Sequence, residues 1–337
     1  FYRVPIGVVA AITPFNDPLN LVAHKVGPAI AGGNAVVLKP ATATPLSALK
    51  LAELFLEAGL PPQVLNVVTG PGAEVGAALV SDPRVRMVSF TGGVEAGLEV
   101  ARMAGLKKIG MELGSNSPVV VLGDCDFQAA VESCVSGAFW AAGQNCIGVQ
   151  RIYVQEDFFD SFRDAYVGST LRYKVGPKLD EDCDMGPLIT EAEARRVESW
   201  VEEALRAGAT LECGHKREGA VYWPTVLTRV AEGMKVNCEE IFGPVVSLYP
   251  VKDLEEGIQR SNAVEFGLQA AVFTSSLASA FRAVEGLEAG AVIVNDSTDY
   301  RMDAMPFGGI KNSGLGREGI RFALQEMTEP KTVCFNL

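Results

Sequence analysis

Short apolar runs separated by helical patterns constrain this chain more than any other feature. Gly7–Ile12 (GVVAAI), Ala35–Leu38 (AVVL), Val64–Val68, Met87–Phe90, Pro118–Leu122 and Arg151–Gln155 are strand-length and end in or near turn residues. Helical patterns lie between many of them: Leu19–Ile30, a helix opening at Thr44-Pro45, Ala73–Val80, Val94–Met103, Phe127–Trp140 and Phe158–Tyr166. Strands buried on both faces read as continuous apolar runs, so this order predicts an α/β fold with parallel sheets covered by helices on both sides. Right-handed crossovers then bring the strand-end turns to one edge, where cofactors commonly bind. In the helix after Thr44, the threonine is expected to cap, Pro45 to fill the first turn, and Leu46, Leu49, Leu54 and Phe55 to form the apolar face, with Gly59 ending it. Glu191–Ala207 is charge-rich and predicts a helix with a solvated face.

The length of 337 residues suits roughly two domains at about 150 residues each. A net charge of −12 argues against nonspecific binding to nucleic-acid backbones. The longest uncharged stretch, Ser133–Gln150, contains Ser136, Gly143, Gln144 and Asn145, so no membrane span is expected. The residues after Phe1 do not read as a secretion signal, and a cytoplasmic location is the default expectation. Seven cysteines include no C-x-x-C pair, which leaves metal and redox motifs unsupported. Only His24 and His215 are histidines, so a nucleophile here needs another kind of base.

Four segments carry chemistry. GPGAEVG (Gly70–Gly76) and FTGGVEAG (Phe90–Gly97) each join a strand pattern to a helix pattern. Glycines there allow tight turns, and a following helix N-terminus favours phosphate. Either turn alone is also readable as plain turn chemistry; two in one sheet favour a dinucleotide site. In GQNCIG, Cys146 sits in a loop beside small and amide residues and is a candidate nucleophile, against the plainer reading of an inert thiol. In MELGSNSP, Glu112 closes an apolar run; burial would raise its pKa toward that of a useful general base, against the plainer reading of a cap or surface carboxylate.

Together with TPFNDPLN (Thr13–Asn20), LKPAT (Leu38–Thr42), EEIFGPVV (Glu239–Val246) and MPFGGIKNSGLGREG (Met305–Gly319), these runs resemble the aldehyde dehydrogenase superfamily. They come in family order, and Cys146 follows Glu112 by 34 residues, as in that family. The resemblance implies two three-layer α/β/α units with mostly parallel sheets. It places a cofactor domain at 1–114, a catalytic domain at 115–312, a return to the cofactor domain at 313–327 and an oligomerisation strand at 328–337. It implies NAD- or NADP-dependent oxidation of an aldehyde to a carboxylate. Cys146 would form a thiohemiacetal and then a thioester, and Asn16 with the Cys146 N–H would hold the oxyanion. Glu112 would activate water. Phe15, Lys39, Thr42, Gly72, Gly76, Gly92, Gly93, Gly114, Glu240 and Phe242 fall at cofactor positions, with no metal.

Departures refine this. Thr42 stands where many NAD-preferring members carry glutamate, so repulsion of a 2′-phosphate is absent and NADP acceptance is expected. Gly93 replaces a frequent serine; Ser115 replaces a frequent glycine, with no consequence assigned. DSTDYRMDAMPFGG resembles members that take small anionic aldehydes such as semialdehydes, lactaldehyde, or phosphonate- and phosphate-bearing aldehydes. Arg301 would pair with the anion, unless it is tied to Asp299 or Asp303, and Asp17 would oppose an anion unless paired. A coenzyme A-acylating member, a cysteine hydrolase and a noncatalytic homologue are the alternatives. Glu112 argues against the first, and the glycine turns against the second. Phe1–Pro5 matches a point inside the family pattern and Lys331–Leu337 resembles the cofactor domain's last strand. The chain is therefore expected to be part of a longer homodimer or homotetramer.

Overall fold

The computed structural model describes residues 1–337. The chain forms two compact units: Phe1–Leu113 with Met302–Gly309 and Gly314–Leu337, and Gly114–Arg301 with Ile310–Ser313.

The first unit is built on a six-stranded sheet in the order Gly314–Leu315, Lys108–Glu112, Val85–Thr91, Val8–Ile12, Ala35–Lys39, Leu65–Val67. All neighbours are parallel except the first pair. Alternate residues of one strand enter different cores. Val9 and Ala11 pack with Val36, Leu38 and Met87, while Ala10 and Ile12 pack with Val88, Phe90 and Met111. The continuous apolar runs therefore serve two faces, which makes three layers. The second unit holds a seven-stranded sheet: Ala291–Val294, Gln269–Phe273, Pro118–Val121, Arg151–Gln155, Val245–Val251, Thr225–Thr228, Thr210–Cys213. Only its last pair is antiparallel. No helix is long and apolar enough to cross a membrane.

Several local expectations change. The helix Pro45–Glu57 begins with Pro45, but Thr44 makes no side-chain cap bond; its hydroxyl lies 3.5 Å from the Phe15 carbonyl. The apolar face is also displaced. Leu46 is 76% exposed and Leu54 48%, and the sheet receives Ala48, Leu51, Ala52 and Phe55, of which only Phe55 belongs to the expected face. That set has true i, i+3, i+4, i+7 spacing, and the alanines permit close approach. The predicted Ala73–Val80 helix divides into a wider turn at Gly72–Gly76 and a helix at Ala77–Ser81. Glu191–Arg206 matches its pattern: Thr190 accepts from the Glu193 N–H, and Val197 and Val201 face inward. At the C-terminus the strand is Thr328–Lys331, paired antiparallel with Tyr2–Pro5; after Lys331 the run to Leu337 has no strand pairing.

Around the first sheet lies a buried ion pair. Lys25, on the helix Asn20–Ala31, donates to Glu318 Oε1 at 2.9 Å and to the Ser89 hydroxyl at 3.1 Å. His24 Nδ1 lies 3.5 Å from Glu318 Oε2. Burial raises the Glu318 pKa, but Lys25 and the bonds from His24 and Lys25 outweigh it and hold the carboxyl at about 2. Its ordinary value is 4.5, so the contribution to stability is complete above that pH and is lost as pH falls through about 2. Glu318→Gln leaves the Lys25 ammonium buried without its counter-charge. Denaturant melts at pH 7 should show a loss of roughly 3–5 kcal/mol, and the difference from wild type should vanish on acidification.

Candidate functional site

In the first unit the parallel strands point the same way, so their carboxyl ends share one edge. Val8–Ile12 runs into Thr13–Asp17, Ala35–Lys39 into Pro40–Thr42, and Val85–Thr91 into Gly92-Gly93. Lys108–Glu112 ends on Glu112 itself. Phe15, Asn16, Lys39, Thr42, Gly92, Gly93 and Glu112 are therefore brought to one edge. Asn16 and Phe15 are half-buried there and Asp17, with φ of 44°, is exposed.

Lys39 is 4% exposed, and its ammonium donates to the Pro40 carbonyl at 3.2 Å. Burial lowers its pKa. An ammonium with so little compensation suits an incoming oxygen-rich ligand. Two neighbouring hydroxyls support this: Thr13 Oγ1 and Thr91 Oγ1 are buried with no hydrogen-bond partner. Sequence reading missed both, although their position at the ends of adjacent apolar strands was a usable signal. The helix Val94–Ala104 begins directly after Gly93 and offers free backbone N–H groups with the positive end of its dipole. Thr42 is exposed and its hydroxyl bonds the Gly70 carbonyl at 3.1 Å. Gly76 lies beside the Lys39 stem, 3.8 Å from Cδ to an added Cβ, while Gly72 has open space there. These groups fit a nicotinamide dinucleotide, whose phosphates and ribose hydroxyls would be suitable partners for them.

Glu112 is buried, and its carbonyl accepts from the Gly92 N–H at 3.1 Å. Gly308, at φ of 154°, leaves space at its side chain; a Cβ there would stand 3.0 Å from Glu112 Oε1. The MPFGG motif thus has a local role that its sequence alone did not reveal.

In the second unit the named residues lie where strands begin. Cys146 follows a tight turn at Trp140–Gly143 and precedes the strand Arg151–Gln155. Ala141, Ala142 and Gly143 are left-handed in succession, with φ of 52°, 55° and 67°. For alanine this conformation costs about 1–2 kcal/mol per residue, so surrounding contacts must impose it. Those contacts are present. Gln144 accepts from the Ile189 N–H at 2.8 Å, and the Thr298 hydroxyl donates to the Ile147 carbonyl at 2.6 Å. Asn145 accepts from the Ile147 N–H at 3.2 Å, which closes the loop around the half-buried cysteine.

Glu240 and Phe242 precede the strand Val245–Val251, and Phe242 too is left-handed, with φ of 46°. Glu240 Oε1 accepts from the Ser115 N–H at 2.9 Å. Burial pushes its carboxyl up to about 7 despite that bond and the Arg196 charge. Ser115 therefore has a structural role through its backbone, and its hydroxyl lies 3.3 Å from that of Ser117. Gly114 lacks a Cβ because one would strike the Glu240 carboxyl. Arg301 is half-buried at the end of this unit.

Two glycines make a direct comparison. A Cβ at Gly143 would strike the Gly243 carbonyl, a backbone atom, and would sit at positive φ. A Cβ at Gly114 meets the movable end of Glu240. Gly143→Ala should therefore lower Tm by several degrees. Gly114→Ala should keep Tm within a degree or two of wild type while displacing Glu240 and weakening cofactor binding. Differential scanning calorimetry and cofactor titration check the pair.

A model of the aldehyde dehydrogenase family matches residues 1–333. The chain is 54% identical over 337 residues to aspartate-semialdehyde dehydrogenase 1 of Pseudomonas canavaninivorans, covering 100% of this chain and 72% of that one. It is 49% identical over 335 residues to 3-sulfolactaldehyde dehydrogenase of Priestia aryabhattai, covering 99% and 70% respectively. The fold matches the crystal structure of glyceraldehyde-3-phosphate dehydrogenase from Methanocaldococcus jannaschii complexed with NADP, with TM-score 0.95 and 42% identity over 97% of this chain and 72% of that one. The chain spans 65–72% of the length of the curated relatives it matches. A family model reaching across nearly the whole sequence, and relatives identical at about half their aligned positions, lead to one conclusion: the chain belongs to the aldehyde dehydrogenase family.

Proposed function

We propose that this chain carries the catalytic parts of an NAD(P)-dependent dehydrogenase that oxidises a small anionic aldehyde to its carboxylate. The observation that carries the reading is a cysteine on a strained, tightly held loop of the second unit; the first unit separately ends a strand on a buried glutamate. The Cys146 sulfur adds to the aldehyde carbon and forms a thiohemiacetal. The Asn16 amide and the Cys146 N–H donate to the oxygen as it gains charge; one such donor is worth about 3–4 kcal/mol in the transition state. Bound nicotinamide supplies the oxidant, a hydride acceptor. The carbon–hydrogen bond of the thiohemiacetal breaks with loss of hydride, the oxygen's electron pair closes the carbonyl, and a thioester remains on Cys146. Glu112 takes a proton from water as that water attacks the thioester carbon. The sulfur leaves with the bonding electrons, and the product departs as a carboxylate.

Removing the base should separate the two halves of this reaction. Glu112→Gln should give a burst of about one reduced nicotinamide per Cys146, followed by turnover slowed roughly 10²–10⁴-fold. Cys146→Ala should give no burst. Stopped-flow absorbance of the reduced cofactor checks both, and equal steady rates in wild type and Glu112→Gln would overturn the assignment.

NADP acceptance is supported by Thr42, which places a neutral hydroxyl where a carboxylate would repel a 2′-phosphate. Solved relatives include NADP complexes as well as an NAD complex. The Michaelis constant for NADP should be no higher than that for NAD; a strong preference for NAD contradicts this reading.

An anionic substrate is supported by the half-buried Arg301. It is also supported by relatives whose names specify an aspartate semialdehyde and a sulfolactaldehyde, each of which carries an anionic group at neutral pH, a carboxylate in the first and a sulfonate in the second. A guanidinium pairs bidentately with carboxylate, sulfonate or phosphate oxygens. Arg301→Ala should raise KM for such an aldehyde at least tenfold more than for a neutral aldehyde of equal length. Equal effects in a steady-state substrate panel would remove Arg301 from the substrate site.

A further inference from the structure

Within the second unit a small cavity has Asn116, Arg151, Ser261 and Gln269 in its lining. All four are at most 5% exposed. The space open to the centre of a water-sized sphere is about 10 Å³, enough for one water and too small for an organic ligand.

Arg151 is a buried cation held by neutral groups. Its Nε donates to the Asn116 carbonyl at 2.9 Å. Nη1 donates to the Tyr153 hydroxyl at 2.9 Å and the Arg260 carbonyl at 3.2 Å, and Nη2 to the Ser261 carbonyl at 3.1 Å. A guanidinium has five N–H bonds, so one Nη2 hydrogen is left over. In the same lining, Asn116 Oδ1, Ser261 Oγ and Gln269 Oε1 are buried without a protein partner.

These four groups complement one another. Arg151 Nη2 and the Ser261 hydroxyl are donors; Asn116 Oδ1 and Gln269 Oε1 are acceptors. A water accepts two hydrogen bonds and donates two. A metal cation would be repelled by the guanidinium, and the one carboxylate in the lining, Glu288, is paired with the Lys311 ammonium at 2.6 Å. An anion would meet the oxygen of the lining residue Asn116, whose amide is held in one orientation because Nδ2 donates to the Asn237 carbonyl at 2.8 Å. We propose that this cavity binds a single structural water, hydrogen-bonded to Arg151, Asn116, Ser261 and Gln269. The water ties the segment Gly114–Ser117, whose Ser115 N–H holds Glu240, to the helix Leu254–Asn262 and the strand Gln269–Phe273.

A crystal structure at high resolution tests the site directly. The expected result is one density peak that refines as fully occupied water, with contacts of ordinary hydrogen-bond length to the three oxygens and to Arg151 Nη2. An empty cavity, oxygens rearranged onto other protein partners, or a peak with the anomalous signal of a halide or metal would overturn the proposal. Gln269→Leu removes one acceptor and should lose the peak and lower Tm by about 2–4 °C. If that variant does not fold, Ser261→Ala deletes only one hydroxyl and should raise the water's displacement parameter and lower Tm by a smaller amount. An unchanged Tm together with an unchanged peak in the folded variant would also contradict the assignment.

Discussion

The parallel register of the first sheet is the constraint on which the rest depends. Val8–Ile12 pairs in parallel with Ala35–Lys39 on one side and with Val85–Thr91 on the other. Every strand in that group must therefore release its following turn at the same edge. A lysine, two threonines, a glycine turn and a glutamate meet there without being close in sequence. The apolar residues that enforce the register, Val9, Ala10, Ala11, Val36, Val88, are fully buried. A slip in pairing would move these residues between the two cores and break up the edge together with the packing.

The three buried cations show how charge is distributed between stability and binding. Lys25 is neutralised by Glu318, so its burial is compensated within the protein. Arg151 has no carboxylate among its bonded partners but makes four bonds to carbonyls and a hydroxyl, which delocalised guanidinium charge tolerates. Lys39 bonds a single carbonyl and is held below its ordinary pKa by burial. The first two cations are structural. Lys39 is the one whose remaining donors suit a ligand, and it stands on the edge where the glycine turn lies. In the second unit the left-handed turn before Cys146 is the corresponding expense: conformational strain held by Gln144 and Thr298 contacts keeps the thiol loop in one shape.

Much of this was legible in the residues. Doubly buried strands announce themselves as unbroken apolar runs, and the motifs around Glu112 and Cys146 led to the family, which the comparisons support. What stayed hidden depended on tertiary context. The leucines of Pro45–Glu57 have helical spacing, yet the sheet selected the face with Ala48 and Ala52 because close packing favours small residues. Thr44 had the right type for a cap but its hydroxyl was drawn toward the Phe15 carbonyl instead. The Ser115 contribution runs through a backbone N–H, which side-chain identity does not encode. The final strand closes on Tyr2–Pro5, a pairing between residues more than 320 positions apart that no local pattern specifies.

The carboxyl edge of the first sheet is the proposed dinucleotide site. A crystal structure of the protein with NADP bound measures this directly. The expected structure has the pyrophosphate at the N-terminus of the helix Val94–Ala104 and ribose oxygens within hydrogen-bond distance of Lys39 Nζ. A pyrophosphate seated instead in the Gly70–Gly76 turn, or a cofactor bound away from this edge, would contradict it.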